Sequence, residues 1–177
     1  TWWDDETLDG CPPHAHGEAL ALHQRLQAEG LVPNLVTQTA VVRAYDKSDQ
    51  PTQAMECYRD MQSQSMQLDV VVYNALISAC ARGRKPQCAF RVYHDMLQRA
   101  LRPDRFTFNA LVGMCSSIGW VANTTWLLAD MTASKISPDT TTYDALCVAS
   151  GQAAQYNKVL HYLAQAELNA LWHLLWM

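Results

Sequence analysis

Several familiar features are missing from this sequence, and each absence excludes something. The six cysteines, Cys11, Cys57, Cys80, Cys88, Cys115 and Cys147, are scattered, and no two form a Cys-x-x-Cys pair. In a chain of 177 residues this argues against a disulfide scaffold and for a reducing compartment. No run of about 18 apolar residues occurs, so no membrane-spanning helix is predicted. The nearest approach, ALWHLLWM at 170–177, is too short and follows Gln165, Glu167 and Asn169. No stretch alternates polar and apolar residues as a half-buried strand does, so no sheet is expected. An excess of basic charge is also missing. The net charge is −4, which on composition alone counts against a nucleic-acid partner. The chain opens on Thr1 rather than Met, so its start says nothing about localisation. With 49% hydrophobic residues it has ample material for a core, and its composition does not call for disorder.

What is present is repetition. VYNALISAC at 72–80 returns as TFNALVGMC at 107–115, a shift of 35 residues. The same shift carries Pro103-Asp104 onto Pro138-Asp139, and Asp60-Met61 onto Asp95-Met96 and Asp130-Met131. Ala40, Ala75, Ala110 and Ala145 form one series; Val41, Leu76, Leu111 and Leu146 form the next. Tyr73, Phe108 and Tyr143 form an aromatic series that Gln38 breaks. The units are 35–69, 70–104, 105–139 and a degenerate one over 140–177. Residues 17–34 align with the second half of a unit, which makes 1–34 a degenerate opening repeat or cap.

Each unit reads as two helices. Val72, Leu76, Ile77 and Cys80 recur at helical spacing over 71–81, and RGRKP then interrupts the run. Cys88, Ala89, Val92, Tyr93, Met96 and Leu97 form a second apolar stripe over 87–98, and Val121, Thr125, Leu128 and Met131 repeat it. An Asp closes the unit where it can cap the helix that follows. One such hairpin cannot bury both stripes, so the units must stack. The predicted fold is all-α, a right-handed α-solenoid of helix-turn-helix repeats.

The early Trp, Leu-Gly and Tyr of tetratricopeptide units and the Thr-Pro-Leu-His of ankyrin are missing. VVVYNALISACARGRKPQCAFRVYHDMLQRALRPD instead resembles the pentatricopeptide repeat along nearly its whole length: a Val-x-Tyr-Asn-x-Leu-Ile opening, an Ala-x-x-x-Tyr-x-x-Met second helix and a Pro-Asp close. The next unit follows the pattern except at Thr124, which stands in place of the small alanine. In the preceding unit Gln38 replaces the aromatic and Leu68 the proline. The resemblance covers roughly residues 17–164.

That resemblance implies single-stranded RNA binding in a mitochondrion or chloroplast, at about one base per repeat. It implies that the fifth and last residues of a unit read the base, here Thr39 with Asp69, Asn74 with Asp104 and Asn109 with Asp139. By the family's code these pairs imply the order 5′-G-U-U-3′. Val36, Val71 and Phe106, second in their units, would be the apolar wedges between bases. In the last unit Asp144 would need Leu174 as partner, so no base is assigned there. Arg82, Arg84, Lys85, Arg91, Arg99, Arg102 and Arg105 gather over half of the chain's basic residues into one locally basic unit. Arg82, Arg84, Lys85, Arg102 and Arg105 are the candidate phosphate contacts.

Simpler roles compete with each of these. The three Asp residues would serve as helix caps alone, and the two Asn amides would bond only local backbone. Tyr73, Phe108, Tyr143, Cys80 and Cys115 read as core. Cys11, His14 and His16 are three close ligands without a fourth, so no metal or cofactor is expected. Neither a His-x-Glu with Cys-x-x-Cys nor an acidic metallonuclease cluster occurs, and the chain is not expected to be an enzyme. Two functions remain. One is RNA reading in organellar RNA processing, stability or translation. The other is a structural subunit of a large organellar assembly such as a ribosome, contacting protein or rRNA.

Overall fold

The computed structural model describes residues 33–152, together with Ala21, Arg25 and Tyr162. Seven helices of 13 residues occur among them: α1 (Leu35–Lys47), α2 (Pro51–Ser63), α3 (Val70–Arg82), α4 (Pro86–Gln98), α5 (Arg105–Ser117), α6 (Val121–Ala133) and α7 (Thr140–Gln152). No strand occurs among the described residues. First helices therefore start at 35, 70, 105 and 140 and second helices at 51, 86 and 121, the repeat read from the sequence. The opening unit, and most of the closing one, lie outside the described residues.

The local chemistry explains these limits. Asn34, Asp69 and Asp104 are the N-caps of α1, α3 and α5, each accepting a bond from the third backbone N–H of its helix. Pro51 and Pro86 open α2 and α4, where proline's missing donor costs nothing. At their C-termini the helices from α1 to α6 close in the same double bond. At α3, Lys85 N donates to Cys80 O and Arg84 N to Ala81 O, with Arg84 left-handed (φ 49°). Glycine, which suits that conformation, fills it only at Gly119; Asp49, Ser65, Arg84, Ala100 and Lys135 take it elsewhere. Replacing Ala100 with glycine is therefore expected to stabilise the array by about 1 kcal/mol, read as a higher urea midpoint. An unchanged or lower midpoint would show that the site carries no strain.

First helices pack on one another along the stack, α1 on α3, α3 on α5 and α5 on α7. Each second helix packs on the first helix of its own unit and of the next. Tyr73, Phe108, Leu76, Leu111 and Leu146 are fully buried, as are Met61, Met96 and Met131. The third unit corrects the predicted stripe: Thr124 and Leu127 are buried, whereas Thr125 and Leu128 are only half-buried. Repeat register decides this, since Ala54 and Ala89, the counterparts of Thr124, are buried too. Thr124 is accommodated because its hydroxyl donates to Trp120 O at 2.6 Å. Leu97, placed in the apolar stripe from sequence, is exposed.

Polar bonds also tie the units together. Tyr58 and Tyr73 both donate to Asp95 Oδ2, at 2.5 and 2.6 Å, and Tyr93 donates to Asp130 at 2.5 Å. Burial pushes the Asp95 carboxyl up, but the two phenols and Arg99 outweigh it and hold it below the usual carboxylate range.

Candidate nucleic-acid interface

The site is assembled where one first helix begins beside the next. Asp104 uses its two carboxylate oxygens differently. Oδ1 accepts from Thr107 N at 2.9 Å, across the unit boundary, which caps α5, while Oδ2 accepts from Asn74 Nδ2 at 2.9 Å, within its own unit. Thr107 completes a capping box by accepting from Asp104 N at 3.1 Å, and its hydroxyl lies 2.6 Å from Asn74 Oδ1. The same set recurs one unit on. Asn109 Nδ2 donates to Asp139 Oδ2 at 3.1 Å, Thr142 Oγ1 lies 2.7 Å from Asn109 Oδ1, and Asp139 Oδ1 accepts from Thr142 N at 3.0 Å. Burial pushes the Asp139 carboxyl up. The Thr142 and Asn109 donors, aided by Arg105, outweigh that and hold it low.

Val36, Val71 and Phe106, second in their helices, are 76%, 49% and 58% exposed, unlike every apolar residue of the core. Between two of them lies a cleft of about 500 Å³, lined by Val71, Asn74, Asp104, Phe106 and the cations Arg43, Lys47 and Arg82. Its size is that of a small-ligand site. A second cleft of about 380 Å³ follows, lined by Arg82, Arg84, Ser78, Asn109, Gly113 and Ser117.

Residues 56–117 match the family model of the pentatricopeptide repeat domain. That stretch, the most regular part of the array, is similar to the pentatricopeptide repeat. PPR10 solved in complex with an 18-nt psaJ RNA element is 25% identical, with a TM-score of 0.74 over 87% of this chain and 23% of that one. PPR10 from maize is 26% identical, with a TM-score of 0.66 over 86% of this chain and 22% of that one. The pentatricopeptide domain of Arabidopsis thaliana protein-only RNase P 1, solved with tRNA, is 15% identical, with a TM-score of 0.78 over 93% of this chain and 88% of that one. Here the last likeness is one of fold alone. The chain spans less than a quarter of PPR10. A comparison with curated proteins gives no match.

Of the three pentatricopeptide pairs named from sequence, the structure joins two. Thr39 and Asp69 do not meet. The Thr39 hydroxyl donates to Leu35 O at 2.7 Å, and Asp69 Oδ1 accepts from Val72 N at 3.0 Å. Val72 stands where the other units have Thr107 and Thr142. Asp104 and Asp139 are caps and also more than caps, and the Asn amides bond the closing Asp of their own unit and a Thr of the next rather than local backbone. Asp144 is exposed, and Leu174 lies outside the described residues.

The named cations separate. Arg82 and Arg84 line the clefts, Arg82 while ion-paired to Asp46 at 3.2 Å. Lys85 donates to Thr52 at 2.6 Å, and Arg102 lines a different cleft beside Ala133–Ile136. Arg105 acts on Asp139 electrostatically. Sequence reading missed Arg43 and Lys47, although Lys47 shares a repeat register with Arg82. It also missed Thr107 and Thr142, whose signal was the Asp-x-x-Thr spacing of a capping box. Cys80 and Cys115 are fully buried, and burial pushes their thiols up to about 12 and about 11, far from reactive. No metal-binding cluster occurs among the described residues, and Cys11, His14 and His16 lie outside them.

Proposed function

We propose that this array binds single-stranded RNA without catalysing any reaction on it, one base to a slot, in organellar RNA processing, stability or translation. The observation that carries the reading is the cleft between Val71 and Phe106. Two exposed apolar side chains flank it, a fixed amide–carboxylate pair lies along it, and Arg43, Lys47 and Arg82 border it. Apolar flanks suit the faces of a base, the pair suits its edge, and the cations suit phosphates. PPR10 and the RNase P domain, whose fold this chain shares, were both solved with RNA bound. Asn74/Asp104 and Asn109/Asp139 would read two successive uracils. Thr39/Asp69, with no bond between them, would favour guanine less sharply.

Binding should be stronger to RNA containing G-U-U than to an A-rich control at matched salt. Asn74→Ala with Asn109→Ala should lower that preference by roughly tenfold. Equal binding of both RNAs, before and after the substitutions, would remove the reading.

The exposed Leu97, Trp120 and Trp126 favour a second reading, contact with protein in a larger organellar assembly. Nuclease-resistant co-purification with a multi-subunit particle would support it.

A further inference from the structure

We propose that Thr107 and Thr142 are positioning residues that bias each reading slot toward uracil over cytosine, by locking the orientation of the Asn amide in the preceding unit. This rests on the RNA-reading function above. A carboxylate only accepts hydrogen bonds, so the edge of Asn74 that meets Asp104 Oδ2 must be its NH2 group. Thr107 Oγ1 already accepts from Asp104 N, which leaves its single proton to give. The nearest acceptor is Asn74 Oδ1 at 2.6 Å, closer than Asp104 Oδ1 at 2.9 Å. Both ends of the amide are thereby assigned, and one N–H and one carbonyl lone pair remain, in fixed places, for a base edge.

Uracil and cytosine differ in their donors and acceptors, N3–H and O4 against N3 and N4–H2. An amide that turns over can satisfy either base, whereas one that cannot must choose. The arrangement occurs twice, at Asn74/Thr107 and Asn109/Thr142, with closely matched distances. Thr39 supplies the contrast. The corresponding position after it is Val72, and there the reading side chain bonds its own helix. Val72 also shows that the fold accepts valine at this position, so Thr107→Val removes the hydroxyl and keeps the shape.

The test measures binding of the full chain to RNAs that differ only in U or C opposite one slot. Thr107→Val should reduce the U-over-C ratio roughly five- to tenfold at the Asn74 slot and leave the Asn109 slot unchanged. Thr107→Ser should restore the ratio, and Thr142→Val should move the loss to the Asn109 slot. A retained ratio in Thr107→Val, or an equal weakening toward both bases, would overturn the proposal. An RNA-free measurement separates its failure from that of the reading beneath it. In the side-chain amide NMR spectrum of the free protein, Thr107→Val should shift the Asn74 resonances and not those of Asn109. Unmoved Asn74 resonances would disprove the lock itself. Shifted resonances without any RNA preference in the wild-type chain would overturn the base-reading function and this proposal with it.

Discussion

Asp104→Ala is expected to cost about 2–4 kcal/mol of stability, whereas Asp69→Ala should cost only about 1 kcal/mol. Both residues cap a first helix through Oδ1, and an Asp cap is typically worth about 1 kcal/mol. Asp104 does more, because its Oδ2 holds the amide of Asn74, which is only 9% exposed. Removing the carboxylate strands that amide beside Thr107, itself fully buried. Leaving such groups unsatisfied adds about 1–3 kcal/mol to the loss of the cap. Urea unfolding of the two variants side by side would measure the difference. Equal losses would mean that the bond from Asn74 to Asp104 carries no stability, and that the pair is held together by its helices alone.

Gly83→Ala should destabilise the array by about 1–3 kcal/mol, for a reason unrelated to backbone freedom. Gly83 caps α3 at an ordinary negative φ of −71°. A Cβ added there would lie 2.2 Å from Pro51 Cγ and 2.8 Å from Pro51 Cβ. Pro51 is a buried, rigid ring at the first turn of α2, so neither side can yield without moving a helix end. The variant Pro51→Gly, which removes both close atoms, should relieve most of the penalty, and the coupling in a double-mutant cycle is the quantity to measure. Additive losses would place the cost elsewhere. The corresponding position of the next unit is Ile118, so this demand for glycine belongs to one junction and not to the repeat.

Much of this could be read directly. A shift of 35 residues aligned Asn74 with Asn109 and Asp104 with Asp139, and the helix starts recur at that spacing. Pro51, Pro86 and the capping Asp residues mark helix starts through backbone chemistry that needs no neighbour. The stripe of α6 was harder, because Thr124 and Leu127 compete with Thr125 and Leu128 on a helix of weak apolar contrast. Register against α2 and α4 settled it. Arg84 and Lys85 are neighbours in sequence, yet Arg84 lines a cleft and Lys85 bonds Thr52 in the preceding unit. Direction around a turn is set by the helices it joins, not by residue type.

By itself, then, the sequence determined the period, the helical hairpin and the stacked architecture, since these follow from local patterning repeated in register; the three residue pairs came from the resemblance to the pentatricopeptide repeat. Tertiary structure alone decided that two of the three pairs are bonded and one is not. That choice depends on the residue the next unit brings alongside, a Thr hydroxyl at Asn74 and Asn109 but the methyls of Val72 after Thr39. A hydrogen bond needs both partners within reach, and only the stacking of units supplies the second one.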